Sequence, residues 1–129
     1  MSKYIKHDDR VTTAAIEYLL NTDKACKILD VYNGCYWNFN IIDIVAISED
    51  DELIFAQVRR YDDYSPQEIE VKPFSHKKRM KFEKDAFDWL LWNDDYLDVP
   101  FRFDIIDVFV MPSEDRAVLR HNVNAGAEK

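Results

Sequence analysis

The sequence predicts an α/β protein, a mixed β-sheet flanked by helices in the order αβββαβ with an optional edge strand at the end. Three observations carry this. Residues 9–20 repeat apolar side chains at helical spacing. Residues 36–60 hold two apolar runs separated by an acidic loop. A second helical pattern over 76–92 is followed by a further apolar run at 101–110. Two successive hairpins and then a helical crossover produce a mixed sheet with helices on its faces.

In the first segment Val11, Ala15, Tyr18 and Leu19 share one helical face, and Asp8 or Asp9 supplies a capping oxygen. Residues 26–32 are strand-like, and Asn33-Gly34 after them is the dipeptide that supplies two positive-φ positions for a tight turn. Residues 36–47 and 53–60 form the second hairpin, closed by Ser48-Glu-Asp-Asp-Glu52. Residues 61–73 combine turn formers with no sustained period and read as a loop. Pro73 and Ser75 then introduce a helix over 76–92, basic in its first half, with Phe82, Ala86, Trp89 and Leu90 at core spacing in its second. Residues 101–110 are a strand, 117–123 a short final one, and 125–129 a frayed tail, so that 1–124 form a single domain.

Composition narrows the function classes. With 47% hydrophobic residues, 2 Gly and 4 Pro, the 129-residue chain is neither low-complexity nor disordered, and it holds enough apolar mass for one core. No apolar run reaches the ~20 residues of a membrane helix, and no apolar stretch follows the charged N-terminus as in a signal peptide; no membrane role and a cytoplasmic location are therefore expected. Cys26 and Cys35 have neither zinc nor disulfide-framework spacing and read as reduced thiols. The three histidines are too separated to suggest a metal cluster, and Glu49-Asp-Asp-Glu52 lacks the glycine and alternating spacing of a calcium loop. A net charge of −8 repels polyanions at long range, yet Lys77, Lys78, Arg79, Lys81 and Lys84 stand against Glu83 alone, a local +4.

The most informative oddity lies in the second hairpin. If Ile47 pairs with Leu53 across the five-residue loop, Asp43 falls opposite Gln57, with Arg59 two residues further on the same face. A polar trio then occupies strands otherwise built of Ile, Val, Phe and Leu. It reads either as a metal and phosphate site or as a half-buried pair in which Arg59 neutralises Asp43. The basic start of the second helix, with Lys77, Lys78 and Arg79, reads either as a phosphate contact at a helix N-terminus or as a solvated face. Tyr36 and Trp37, or Tyr61 and Tyr64, stack on unpaired bases or pack in the core.

Six stretches resemble the YraN-like bacterial proteins, whose fold is that of the restriction endonucleases and Holliday-junction resolvases. They are Ala15-Ile-Glu-Tyr-Leu19, Ile42-Asp-Ile-Val-Ala46, Leu53-Ile-Phe-Ala-Gln-Val-Arg-Arg60, Lys77-Lys-Arg79, Phe101-Arg-Phe-Asp-Ile105 and His121-Asn-Val-Asn-Ala125, in that order along nearly the whole chain. The resemblance implies a PD-(D/E)xK nuclease arrangement, in which two carboxylates hold Mg²⁺ against a scissile phosphate and a lysine positions the attacking water. Carried over, the Asp is Asp43, the Asp/Glu position is Gln57 and the Lys position is Arg59, so two of the three differ from the pattern.

A glutamine brings no charge to a hard cation, and an arginine cannot act as a proton acceptor. Thr12 and Ile41 stand where the pattern offers two further acids, and Glu17 lies on a different part of the helix face. The expectation is a nuclease-related protein that meets nucleic acid through a degraded site, with Asp43 and Gln57 as weak or lost metal ligands and little or no catalysis. The alternatives are a Mg²⁺-dependent phosphodiesterase on branched or single-stranded DNA and an acidic module that docks a basic protein. A homodimer is a further expectation, to which no residue pattern is assigned.

Overall fold

The computed structural model describes residues 9–22, 27–32, 41–72, 74–111 and 116–123. Helix α1 (Asp9–Thr22) is followed by strands β1 (Lys27–Val31), β2 (Ile44–Ile47) and β3 (Leu53–Asp62), helix α2 (His76–Trp92), and strands β4 (Phe101–Met111) and β5 (Arg116–Asn122). The protein is α/β, with the strands hydrogen-bonded in the spatial order β1-β2-β3-β4-β5. Only β3 and β4 run parallel, as a strand–helix–strand crossover through α2 requires; the other three pairings are antiparallel.

Strand alternation sends even-numbered residues of β3 and β4 to one face and odd-numbered ones to the other. Val11, Ala15 and Leu19 of α1 pack on the first face, against Ile44, Ala56, Val58 and Ile106. Phe82, Ala86 and Trp89 of α2 pack on the second, against Val45, Phe55 and Phe103. Trp89 meets Phe55 edge-on at 5.7 Å, and its indole Nε1 donates to Asp30 Oδ2 at 2.7 Å, fixing α2 to β1 as well.

The β2–β3 register is the expected one, with Ile47 opposite Leu53 and Ile44 opposite Ala56. Four other expectations change. Among the described residues of the strand expected over 36–47, β2 itself starts at Ile44, and the amides of Ile41 and Ile42 donate to the buried Asp85 Oδ2 of α2, at 2.8 and 3.1 Å. The loop over 61–73 loses its start to β3, which runs on to Asp62 because β4 offers a parallel ladder that far, and a 3₁₀ turn at Pro66–Glu68 follows. The optional last strand is a seven-residue edge strand paired with β4 along its whole length. The first helix continues two residues further, to Thr22. The Asn33-Gly34 turn, the capping Asp8, Cys26, Cys35, Tyr36, Trp37, Pro73 and the tail 125–129 lie outside the described residues, as does the side chain of Asp9.

Candidate functional site

Past the Ile44–Ala56 pair, Asp43 meets the edge of β3. Its amide donates to the Ala56 carbonyl at 2.9 Å, and its Oδ2 accepts from the Val58 amide at 2.8 Å. One oxygen of the candidate metal ligand is thus engaged in closing the end of a strand, the kind of pairing a buried amide demands. Gln57, next to Val58 on β3, is 1% exposed, and its Oε1 accepts no hydrogen bond among the described residues.

Arg59 is held by a residue the sequence reading left out. Its Nε donates to Asp107 Oδ1 at 2.7 Å and its Nη2 to Asp107 Oδ2 at 3.2 Å, a two-pronged pair across the parallel register Arg59–Asp107. Asp107 thus supplies a carboxylate to Arg59 that the sequence reading did not name. Asp107 is fully buried and serves a second cation. Arg120, opposite it on β5, donates from Nε at 3.2 Å and from Nη2 at 2.9 Å, and Asn122 Nδ2 adds a third donor at 3.2 Å. Arg120 also reaches the carbonyls of Pro66 and Ile69, tying the 3₁₀ turn to the sheet. Tyr61 stacks on Phe109 at 5.1 Å, with Arg59 over the first ring and Arg120 over the second.

One of the three basic residues at the start of α2 joins this row. Ser75 caps the helix by accepting the Lys78 amide at 3.1 Å, and Lys78 is half-buried, with its ammonium 5.5 Å from the centre of the Phe74 ring. Burial, together with repulsion from Arg59 and Lys81 and only partly offset by attraction to Asp107, lowers the Lys78 pKa to about 8. Lys77 faces outward and is exposed, and Arg79 is half-buried. The sequence therefore named Lys78 for its charge, whereas its setting beside Arg59 and Asp107 was visible only once β4 was placed.

A second polar network occupies the opposite face. Arg102 donates from Nε to both oxygens of the fully buried Asp104, at 3.0 and 3.2 Å, and from Nη1 to Glu52 at 3.2 Å. Burial works against the Arg102 charge, but Asp104 and Glu52 raise its pKa overall. His121 Nε2 lies 2.6 Å from Asp104 Oδ2, and its Nδ1 lies 3.1 Å from the Tyr18 hydroxyl. A line of polar groups thus ties α1 to β4 and β5, and His121 has a packing role.

Several sequence candidates are placed elsewhere. Glu52 pairs with Arg102, and Asp51, at φ 60°, forms the hairpin corner. Tyr61 is buried in the sheet face, with Tyr64 packed beside it, which removes the first as a stacking platform for bases. Glu17 is exposed on α1, whose packing face lies on the side of the sheet away from Gln57 and Arg59. Asp104 and Asp107 were legible in one respect: two acids inside an otherwise apolar buried strand require partners.

The donor set does not suit the metal that the resemblance implies. Mg²⁺ is held through carboxylate charge, and here one partly committed carboxylate, Asp43, stands beside a neutral amide, with no group of three Asp, Glu, His or Cys side chains suited to a metal among the described residues. No helix among the described residues is long and apolar enough to cross a membrane. A scan against protein-family models and a search of curated proteins find no match to this chain.

Proposed function

We propose that this chain is a nuclease-fold protein that grips nucleic-acid phosphates and does not cut them. The observation that carries the reading is Lys78, a half-buried ammonium on the capped first turn of α2, over the Phe74 ring and within electrostatic reach of the Arg59–Asp107 pair. A desolvated cation at a helix N-terminus is a strong phosphate donor, because burial reduces screening by water and the helix dipole adds to the field. The YraN-like resemblance and a mixed five-stranded sheet with one parallel pair are compatible with nuclease ancestry. Gln57 and Arg59, at the positions where the nuclease pattern has an acid and a lysine, support binding without hydrolysis. A charge-neutral Gln57 does not recruit a divalent cation, and an Arg59 already forked onto Asp107 accepts no proton.

Restoring the pattern tests the second half of the proposal. Wild-type protein is expected to bind a branched or single-stranded DNA without cleaving it at millimolar Mn²⁺. Gln57→Glu with Arg59→Lys places a second carboxylate next to Asp43 in a buried setting, so the variant is expected to be less stable than wild type, and to be stabilised by Mn²⁺ in thermal unfolding where wild type is not. Cleavage by the unaltered protein would reverse the proposal in favour of a Mg²⁺-dependent phosphodiesterase.

A further inference from the structure

Helix α2 buries Phe82, Asp85, Ala86, Trp89 and Leu90 and turns the opposite arc to solvent. At the centre of that arc stand Met80, Phe87 and Leu91, which are 55, 60 and 59% exposed. Their spacing of seven and four residues keeps them within about 20° of one line along the helix. Single exposed apolar residues are ordinary, but three large ones in one row make a continuous stripe that costs solvation free energy if nothing covers it.

The charges beside the stripe indicate what covers it. The exposed Lys77 and Lys81 lie along its N-terminal half with Glu83 on the other flank, and Lys84 in the middle pairs with Asp88 of the same helix at 3.0 Å. The exposed Asp94 and Asp95 follow the helix just past Asn93. Such a split is complementary to itself only when two copies of the helix run in opposite directions, since a parallel pair would set lysine against lysine. We infer that the outer face of α2 is the interface of a homodimer, in which α2 packs antiparallel against α2 of a second copy. Met80 then meets the second copy's Leu91, while Phe87 lies near the two-fold axis against the aliphatic stem of the second copy's Lys84. The basic half of each helix faces the acidic end of the other, and the antiparallel helix dipoles add to the attraction. Three side chains per copy make a small interface, so association is weak and concentration-dependent. Lys78 points away from this stripe toward the sheet, and the inference does not rest on phosphate binding.

Sedimentation of the full chain from micromolar to millimolar concentration tests it. A reversible monomer–dimer equilibrium is expected, weakened at least about tenfold by Phe87→Glu with Leu91→Glu at unchanged circular dichroism, and weakened further by salt. Geometry has its own readout. In a Cys26→Ser, Cys35→Ser background, Met80→Cys with Leu91→Cys is expected to give an intermolecular disulfide under mild oxidation, since eleven residues of helix, about 16 Å, forbid the bond within one chain. A chain that stays monomeric at millimolar concentration would overturn the inference. So would a dimer indifferent to the glutamates, or one in which Met80→Cys alone cross-links as efficiently as the pair.

Discussion

Lys78 and Asp107 carry opposite duties in one row of side chains. Lys78 loses its proton near pH 8, well below an ordinary lysine at 10.5, because burial and the neighbouring Arg59 and Lys81 cations oppose its charge. The ammonium form attracts phosphate and the neutral amine does not, so nucleic-acid affinity is expected to fall as pH rises from 7 to about 9, across that value. Lys78→Arg, charged throughout that range, is expected to flatten the profile, and fluorescence anisotropy against pH reads it directly. Asp107 contributes to stability first. Fully buried, it compensates two arginines that are themselves mostly covered. Asp107→Asn removes the shared carboxylate from both pairs and is expected to cost about 3 kcal/mol in urea unfolding, the loss typical of a broken buried ion pair. A loss near zero would mean that Arg59 and Arg120 turn to water instead.

At the scale of elements, α2 does two jobs through its ends and its middle. Its first turn is held by Ser75, which accepts the amide of Lys78, the residue whose ammonium lies within electrostatic reach of Arg59 and Asp107. Ser75→Ala is expected to reduce stability by about 1 kcal/mol and to weaken DNA binding as well, because the turn that frays is the one bearing the ammonium. The middle of α2 supplies Asp85, which takes the Ile41 and Ile42 amides out of the sheet. That explains where sequence reading succeeded and where it stopped. The β2–β3 register followed from a local quantity, the length of the acidic loop, as far as Ile44 opposite Ala56. The irregular approach to β2 depended on a side chain 44 residues away in sequence, and the extension of β3 through Tyr61 and Asp62 depended on β4, which follows 40 residues later. The Asp107 partnership is of the same kind: neither arginine lies near it in sequence, and only the parallel crossover and the edge strand bring them together.

Across the whole molecule, the −8 net charge works against polyanion binding, and the fold answers by local arrangement. On the α1 face the polar groups close on themselves, with Asp104 taking up Arg102 and His121. On the α2 face Arg59 and Arg120 share Asp107, and Lys78 lies within electrostatic reach of that pair. This local gathering of three cations is what a phosphate grip would use. The most direct measurement is the DNA dissociation constant of wild type and Lys78→Ala as a function of salt, with unfolding curves confirming that both are folded. Wild type is expected to bind with a negative slope of log K on log salt, and the substitution to weaken binding and reduce that slope by about 1. No DNA binding by wild type at low salt, or binding with the same slope in Lys78→Ala, would contradict the account.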